Sequence, residues 1–190
     1  YALIAYQTAY LKANYPVEFM AALLTSEMAD TDKIVKYIEE CRAMGIEVLP
    51  PDVTESSNDF AVVGDKIRFG LVAVKNVGEA AIHSILTARR QQGRFRDLFD
   101  FCERVDLRLV NKRVVESLVK CGAFDSTGAK RAPQMAALED AMALGQKLQQ
   151  ERESAQVSLF GAEEIVRKGP GGGGKLPDIP EWDEKLRLSF

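Results

Sequence analysis

A chain of 190 residues, 46% hydrophobic and 28% charged, carries enough apolar side chain to bury a core in one or two domains, which excludes a chain disordered overall. No apolar run approaches the roughly 18 residues that cross a bilayer, and Tyr1 opens inside an apolar pattern rather than a basic leader, so no membrane partner and no secretory signal are expected. The net charge of −3 conceals an uneven distribution: between Lys66 and Arg131 fourteen basic residues stand against seven acidic ones, a surplus of +7, while the remainder carries −10. A basic middle between acidic flanks points to a polyanionic partner. Cys41, Cys102 and Cys121 are odd in number, far apart and without C-x-x-C spacing; buried thiols in a reducing, cytoplasmic setting fit this better than disulfides or zinc. The chain reads as an internal piece of a longer soluble polypeptide.

Residues 1–14 place Leu3, Ile4, Tyr6, Tyr10 and Leu11 at near-helical spacing and predict a helix ended by Asn14 and Pro16, with its aromatic stripe assigned to the core. Pro16 opens a second helix whose apolar stripe is Phe19, Met20, Leu23 and Leu24. A third is predicted over residues 33–44, with Ile34, Val35, Ile38 and Cys41 inward and Gly45 as its stop. The Asp30-Thr31-Asp32 run ahead of it has the form of a D-x-D metal pair. No third carboxylate or basic clamp stands nearby, so helix capping by Thr31 or Asp32 is the cheaper reading. Residues 46–51 read as an extended link because residues before proline avoid the helical region, and 52–58 as a polar connection. Residues 60–63 and 66–69 flank a Gly64-Asp65 turn and predict a small β-hairpin.

That hairpin delivers the chain into FGLVAVKNVGEAAIHSILTARR, residues 69–90. The stretch predicts a short apolar helix from Gly70 to Val74, a tight Lys75-Asn76-Val77-Gly78 turn, and a helix from Glu79 to about Arg90 that contains the lone histidine, His83. Asn76 and Gly78 are the residue types that accept positive φ most cheaply. Ala80 and Ala81 leave no bulk at the helix's first turn, so its free N–H groups can approach another molecule closely. A turn feeding a helix N-terminus is an anion site, and phosphate is the obvious anion. The pattern is similar to a helix-hairpin-helix, the non-sequence-specific DNA-binding motif, with Asn76 where the first glycine usually stands. An ordinary αα-hairpin that binds nothing is the alternative.

After a loop at 91–95, a helix from Asp97 to Val105 (Leu98, Phe101, Cys102 and Val105 inward) meets a turn at 106–110. Asn111 then caps a helix over 112–121, with Val114, Val115, Leu118 and Val119 inward and Gly122 closing it. This repeats the preceding unit in looser form, and two such units would offer two helix N-termini to two phosphates. Lys112 and Arg113 oppose the helix dipole at a cost of up to roughly 1 kcal/mol, which a bound anion would offset. Solvated residues on a helix face are the alternative. A long amphipathic helix follows from Arg131 to about Gln156, with Met135, Ala136, Leu138, Met142 and Leu148 on its apolar side, ending at QVSLFG. Residues 161–180, with GPGGGG, are linker by composition, and EWDEKLRLSF reads as the start of another helix. Gly169 to Lys175 formally satisfies G-x-x-x-x-G-K, yet Leu176 replaces the magnesium-binding hydroxyl, Pro177 forbids an immediate helix and no buried strand precedes it; a phosphate-loop nucleotidase is rejected.

YALIAYQTAYLKANYPVEFMAALLTSE resembles the end of the fingers region of the bacterial C-family replicative DNA polymerases, the DNA polymerase III alpha subunits. VLPPDV with IRFGLVAVKNVGEAA, and DLFDFCERVDLRLVNKRVVESLVKCGAFDS, resemble the tandem helix-hairpin-helix domain that follows it there. The resemblance covers all but the glycine linker. It implies contact with the backbone of the duplex behind the polymerase site, and it gives QVSLF a role as the internal sliding-clamp motif. In that motif Gln156 would bond a pocket rim while Leu159 and Phe160 fill an apolar pocket, the alternative being a helix end docked on its own domain. No segment resembles the family's palm carboxylates or its His-rich metal cluster, so the magnesium the whole polymerase would need has no counterpart expected here.

The expectation is therefore a mainly α fragment: fingers helices at 1–48, a tandem helix-hairpin-helix domain with a small β-hairpin at 49–130, an amphipathic helix ending in the clamp motif at 131–160, and linker plus the start of a further domain at 161–190. DNA contacts are assigned to Lys75, Asn76, Val77, Gly78, Ala80, Asn111, Lys112 and Arg113, the first group largely through backbone N–H. By family the protein would be a DNA-directed DNA polymerase, a nucleotidyltransferase; the fragment itself would be catalytically silent and carry no cofactor. Expected partners are double-stranded DNA, the sliding clamp, the rest of the polymerase chain and other replicase subunits. The rival function is a protein-interaction scaffold whose sole activity is QVSLF.

Overall fold

The computed structural model describes residues 1–28, 30–157 and 174–187. Among them the chain is mainly helical with one small sheet, and it divides into two compact units, Tyr1–Pro51 with Glu55–Lys75 and Asp52–Thr54 with Asn76–Phe190.

The first unit holds α1 (Ala2–Asn14), α2 (Pro16–Ser26) and α3 (Thr31–Ala43), then β1 (Val48–Leu49), β2 (Ala61–Val63) and β3 (Lys66–Arg68). β2 and β3 form the expected antiparallel hairpin, with Val62 opposite Ile67. The link at 46–51 also supplies a strand: β1 pairs parallel with β3, giving the order β1-β3-β2. The core gathers Met20, Leu24, Ile34, Cys41, Ile46, Phe60 and Ile67, and Phe60 meets Phe69 edge-on at 4.7 Å between centroids. Asp30 caps α3 by accepting from the Lys33 N–H at 3.2 Å, so the cap is one residue earlier than Thr31 and the apparent D-x-D pair is accounted for by helix initiation. A single 3-10 turn, Leu71–Ala73, replaces the short helix expected at 70–74.

Two assignments to the core of this unit are corrected. Leu3, Ile4, Tyr6, Tyr10 and Leu11 are 47 to 67% exposed, and α1 buries no residue. The helix forms, and Lys12 pairs with Glu40 of α3, but its apolar side has no cover among the described residues. Val35 is also exposed, because the inner line of α3 runs Ile34, Ile38, Cys41 and Val35 sits one residue, about 100°, around the helix.

The second unit contains α4 (Glu79–Gln92), α5 (Leu98–Arg104), α6 (Lys112–Lys120), α7 (Arg131–Ala136), α8 (Leu138–Val157) and the short α9 (Glu184–Arg187). Val114, Val115, Leu118 and Val119 of α6 are all buried, each contributing about 1.5–3 kcal/mol. The helix ends in a Schellman motif: Gly122 has φ 83°, and Ala123 N–H reaches back to the Leu118 carbonyl at 2.9 Å. Phe95, Phe101 and Phe124 form an edge-to-face column with centroids 4.9 and 5.0 Å apart. Burial pushes the Cys102 thiol up to about 12, leaving it protonated and unreactive at neutral pH. The single long helix expected from residue 131 is broken at Ala137, which with Leu138 and Ala141 turns inward; the change of phase leaves Ala136 exposed rather than on the apolar side.

Candidate nucleic-acid interface

Asn76 has φ 69°, the left-handed conformation expected of the first turn, and its side-chain amide donates to Ser117 Oγ of α6 at 3.0 Å. Val77 is buried and anchors the turn. Gly78 departs from expectation. Its φ of −84° and ψ of 162° make it the extended N-cap of α4, and beyond its own chain neighbours none of the described residues comes within 4 Å of where a Cβ would stand. Neither backbone conformation nor packing within the chain demands glycine at 78. No side chain caps α4, and Gly78, Glu79 and Ala80 are exposed ahead of the buried Ala81, so the helix opens with N–H groups facing free space. Lys75, the last residue of the first unit, is exposed.

The second turn is built differently. The Asp106 carbonyl accepts from the N–H groups of Leu109 at 3.0 Å and Val110 at 2.8 Å, and no residue in the turn is left-handed. Arg108 donates to the Asp106 carboxylate from its backbone and guanidinium, holding that carboxyl below the usual range. The Asp106 N–H donates to Ser84 Oγ of α4 at 2.8 Å. Each turn is thus bonded to the helix that follows the other turn. Asn111 caps α6 with its own side chain, accepting from Val114 N–H at 3.2 Å, so this helix end is partly filled where that of α4 is open.

The basic surplus is smaller in effect than in number. Of the fourteen cationic residues between Lys66 and Arg131, at least seven are in ion pairs among the described residues: Lys66, Arg68, Arg96, Arg104, Arg108, Lys112 and Arg131. Arg104 is the most deeply placed, 3% exposed, against Asp100 at 2.9 Å, over the Phe95 ring at 4.4 Å and donating to the Ala88, Gly93 and Arg94 carbonyls. Lys112 Nζ lies 2.5 Å from Glu139 Oε1 of α8, which holds the Glu139 carboxyl below its ordinary value. An anion offsetting Lys112 is therefore already present in the chain, which removes that part of the argument for a phosphate at α6. Arg113 is exposed.

The structure thus brings Asn76, Val77, Gly78, Ala80, Asn111, Lys112 and Arg113 into one unit. Ser84, Ser117, Glu139 and the Asp100–Arg104 pair were not anticipated; a buried serine within the apolar stripe of α4, between Ile82 and Ile85, was the available signal. Gln156 falls in the last turn of α8, whereas Leu159 and Phe160 lie outside the described residues. Among the described residues no three His, Cys, Asp or Glu side chains gather into a metal site, and no helix is long and apolar enough to cross a membrane.

Two short helical hairpins tied to each other define a helix-hairpin-helix module, and residues 45–134 match the helix-hairpin-helix motif family. Along its length the chain is also similar to DNA polymerase III subunit alpha: 44% identical over 194 residues to that of Vibrio cholerae, covering 99% of this chain, 47% over 173 residues to that of Deinococcus radiodurans, covering 90%, and 52% over 160 residues to that of Thermus aquaticus, covering 84%. The chain belongs to the DNA polymerase III alpha-subunit family. It spans only 13 to 16% of the length of those relatives.

Proposed function

We propose that this segment grips duplex DNA through its phosphates, without reading bases, inside a cytoplasmic replicative DNA polymerase whose catalytic residues lie in other parts of the polypeptide. The observation that carries the reading is the open end of α4: an N-cap without side chain, no side-chain cap, and space in front of it that none of the described residues fills. A phosphate oxygen fits such a place, accepting from backbone N–H groups and complementing the helix dipole. Lys75, Asn76, Val77, Gly78 and Ala80 form this primary contact. Asn111, Lys112 and Arg113 form a second and weaker one, because Asn111 already caps α6 and Lys112 must leave Glu139 to reach DNA.

Fluorescence anisotropy with duplexes of unrelated sequence tests this. Affinity is expected to fall steeply with salt, with a log–log slope of about −2 to −4 for two to four phosphate contacts. Replacing Lys112 and Arg113 together by Ala should weaken binding to all sequences alike. A salt-independent affinity would overturn the proposal.

The same segment is proposed to tether the polymerase to the sliding clamp through Gln156, Leu159 and Phe160, supported by the match of QVSLF to the family's motif at the end of α8. Changing Leu159 and Phe160 to Ala should abolish capture of the chain by the clamp and leave DNA binding intact. Capture undiminished by that change would remove the motif from the interface.

A further inference from the structure

Residues 174–187 belong to the second unit and touch the rest of it in at least two separated places. At the first, the Gly174 backbone lies against the ring of Phe99 in α5: an added Cβ would stand 2.1 Å from Phe99 Cε1 and 2.4 Å from Cζ, so no other residue can occupy the position as it stands. Phe99 is buried beneath it. The second place is the start of α7, which has no capping side chain of its own. The Glu181 carboxylate supplies one, accepting from the N–H groups of Arg131 at 2.8 Å and Ala132 at 2.9 Å, and from its neighbour Trp182 at 2.9 Å. Burial pushes the Glu181 carboxyl up, but the three N–H donors and the charge of Arg187 outweigh it and hold the group below its ordinary value. Glu181 and Trp182 are half-buried, and Asp183 ends the stretch by capping α9 at the Leu186 N–H, 2.7 Å away.

We infer that residues 174–187, of which 174–180 read as linker by composition, are a strap docked on the helix-hairpin-helix unit, with the Gly174 seat on Phe99 and the Glu181 cap of α7 forming and breaking together. The first turn of α7 is then stabilised by a carboxylate fifty residues away in sequence. Anything that lifts the strap from Phe99 uncaps α7, and the pair acts as a conformational latch between the strap and the helix that follows the second hairpin. The inference stands independently of DNA or clamp binding.

Amide hydrogen exchange on the whole chain tests it. Glu181→Ala removes the acceptor and should accelerate exchange at Arg131 and Ala132 by roughly five- to tenfold, the usual effect of losing a helix cap. Gly174→Ala changes nothing at α7 directly, yet should accelerate the same two amides by a similar factor, because the Cβ expels the strap from the Phe99 ring. Val114 N–H, capped by Asn111, is the internal reference and should be unchanged in both variants. Unchanged exchange at Arg131 and Ala132 in Gly174→Ala would overturn the coupling. Equal acceleration at Val114 would also overturn it, since the strap would then be no separate element.

Discussion

Replacing Asp100 with Ala is expected to destabilise the second unit by about 3–5 kcal/mol, the largest effect of any single substitution considered, because it strips the partner from a buried guanidinium. Asp100 is 4% exposed, and its carboxylate accepts from the Arg104 guanidinium at 2.9 Å and from both the backbone and the guanidinium of Arg96 at 3.0 and 2.9 Å. Arg104 cannot discard its proton, and its other contacts are to neutral carbonyls and an aromatic face. Against a total of roughly 5–15 kcal/mol for a typical domain, such a loss should show as a large drop in the urea midpoint. Burial alone would raise the Asp100 carboxyl, but the Arg96 and Arg104 donors prevail and it titrates below its ordinary 3.8. A folded-state value lowered in this way gives stabilisation that is complete above the unfolded value and lost as pH falls through the folded one. Urea midpoints should therefore fall as pH drops below about 4, and less so in Asp100→Asn. An Asp100→Ala midpoint within error of the parent would show that the Arg104 cluster is not structural.

Gly78→Asp should separate stability from binding in opposite directions. Position 78 is the N-cap of α4, in extended backbone with room for a side chain. Asp is a better N-cap than Gly by only a few tenths of a kcal/mol, so the variant should fold and melt no lower than the parent. On the proposed reading, however, its carboxylate accepts from the same N–H groups and repels the phosphate that would have used them. Duplex affinity should fall at least tenfold, on the order of losing one charge-assisted contact. Tight binding retained by a well-folded Gly78→Asp chain would move the DNA contact away from α4.

Much of this architecture is legible in the residue pattern because the signals are local. Asn111 announces α6 by a side chain that reaches three residues ahead, and Gly122 ends it by a backbone conformation few other residues accept. Asn76 takes the left-handed position for the same reason. The apolar spacing in α1 sets the helix correctly but cannot say whether any surface covers it, and here none among the described residues does. What escaped the sequence is pairing over distance: Lys66 with Glu47, Arg68 with Glu55 and Lys112 with Glu139, acids outside the basic stretch that offset part of its +7, while Arg131 with Asp125 and Arg104 with loop carbonyls tie up cations without changing that sum. One long-range tie did leave a trace. Ser84 and Ser117 each lie six residues after the N-cap of their helix, and both bond the opposite turn, so aligning the two hairpins on Gly78 and Asn111 would have paired them.

Residues 52–54 belong to the second unit although the chain on both sides of them belongs to the first. Val53 is fully buried, its N–H donates to the Ala123 carbonyl at 2.9 Å and its carbonyl accepts from Arg89 at 3.2 Å, while Asp52 folds back on Thr54. The polypeptide is therefore stitched through the second unit before it finishes building the first. An expression boundary drawn at Asn76 would deliver every α-helix of the second unit and still leave a slot the width of one valine, with an orphaned carbonyl on one side of it.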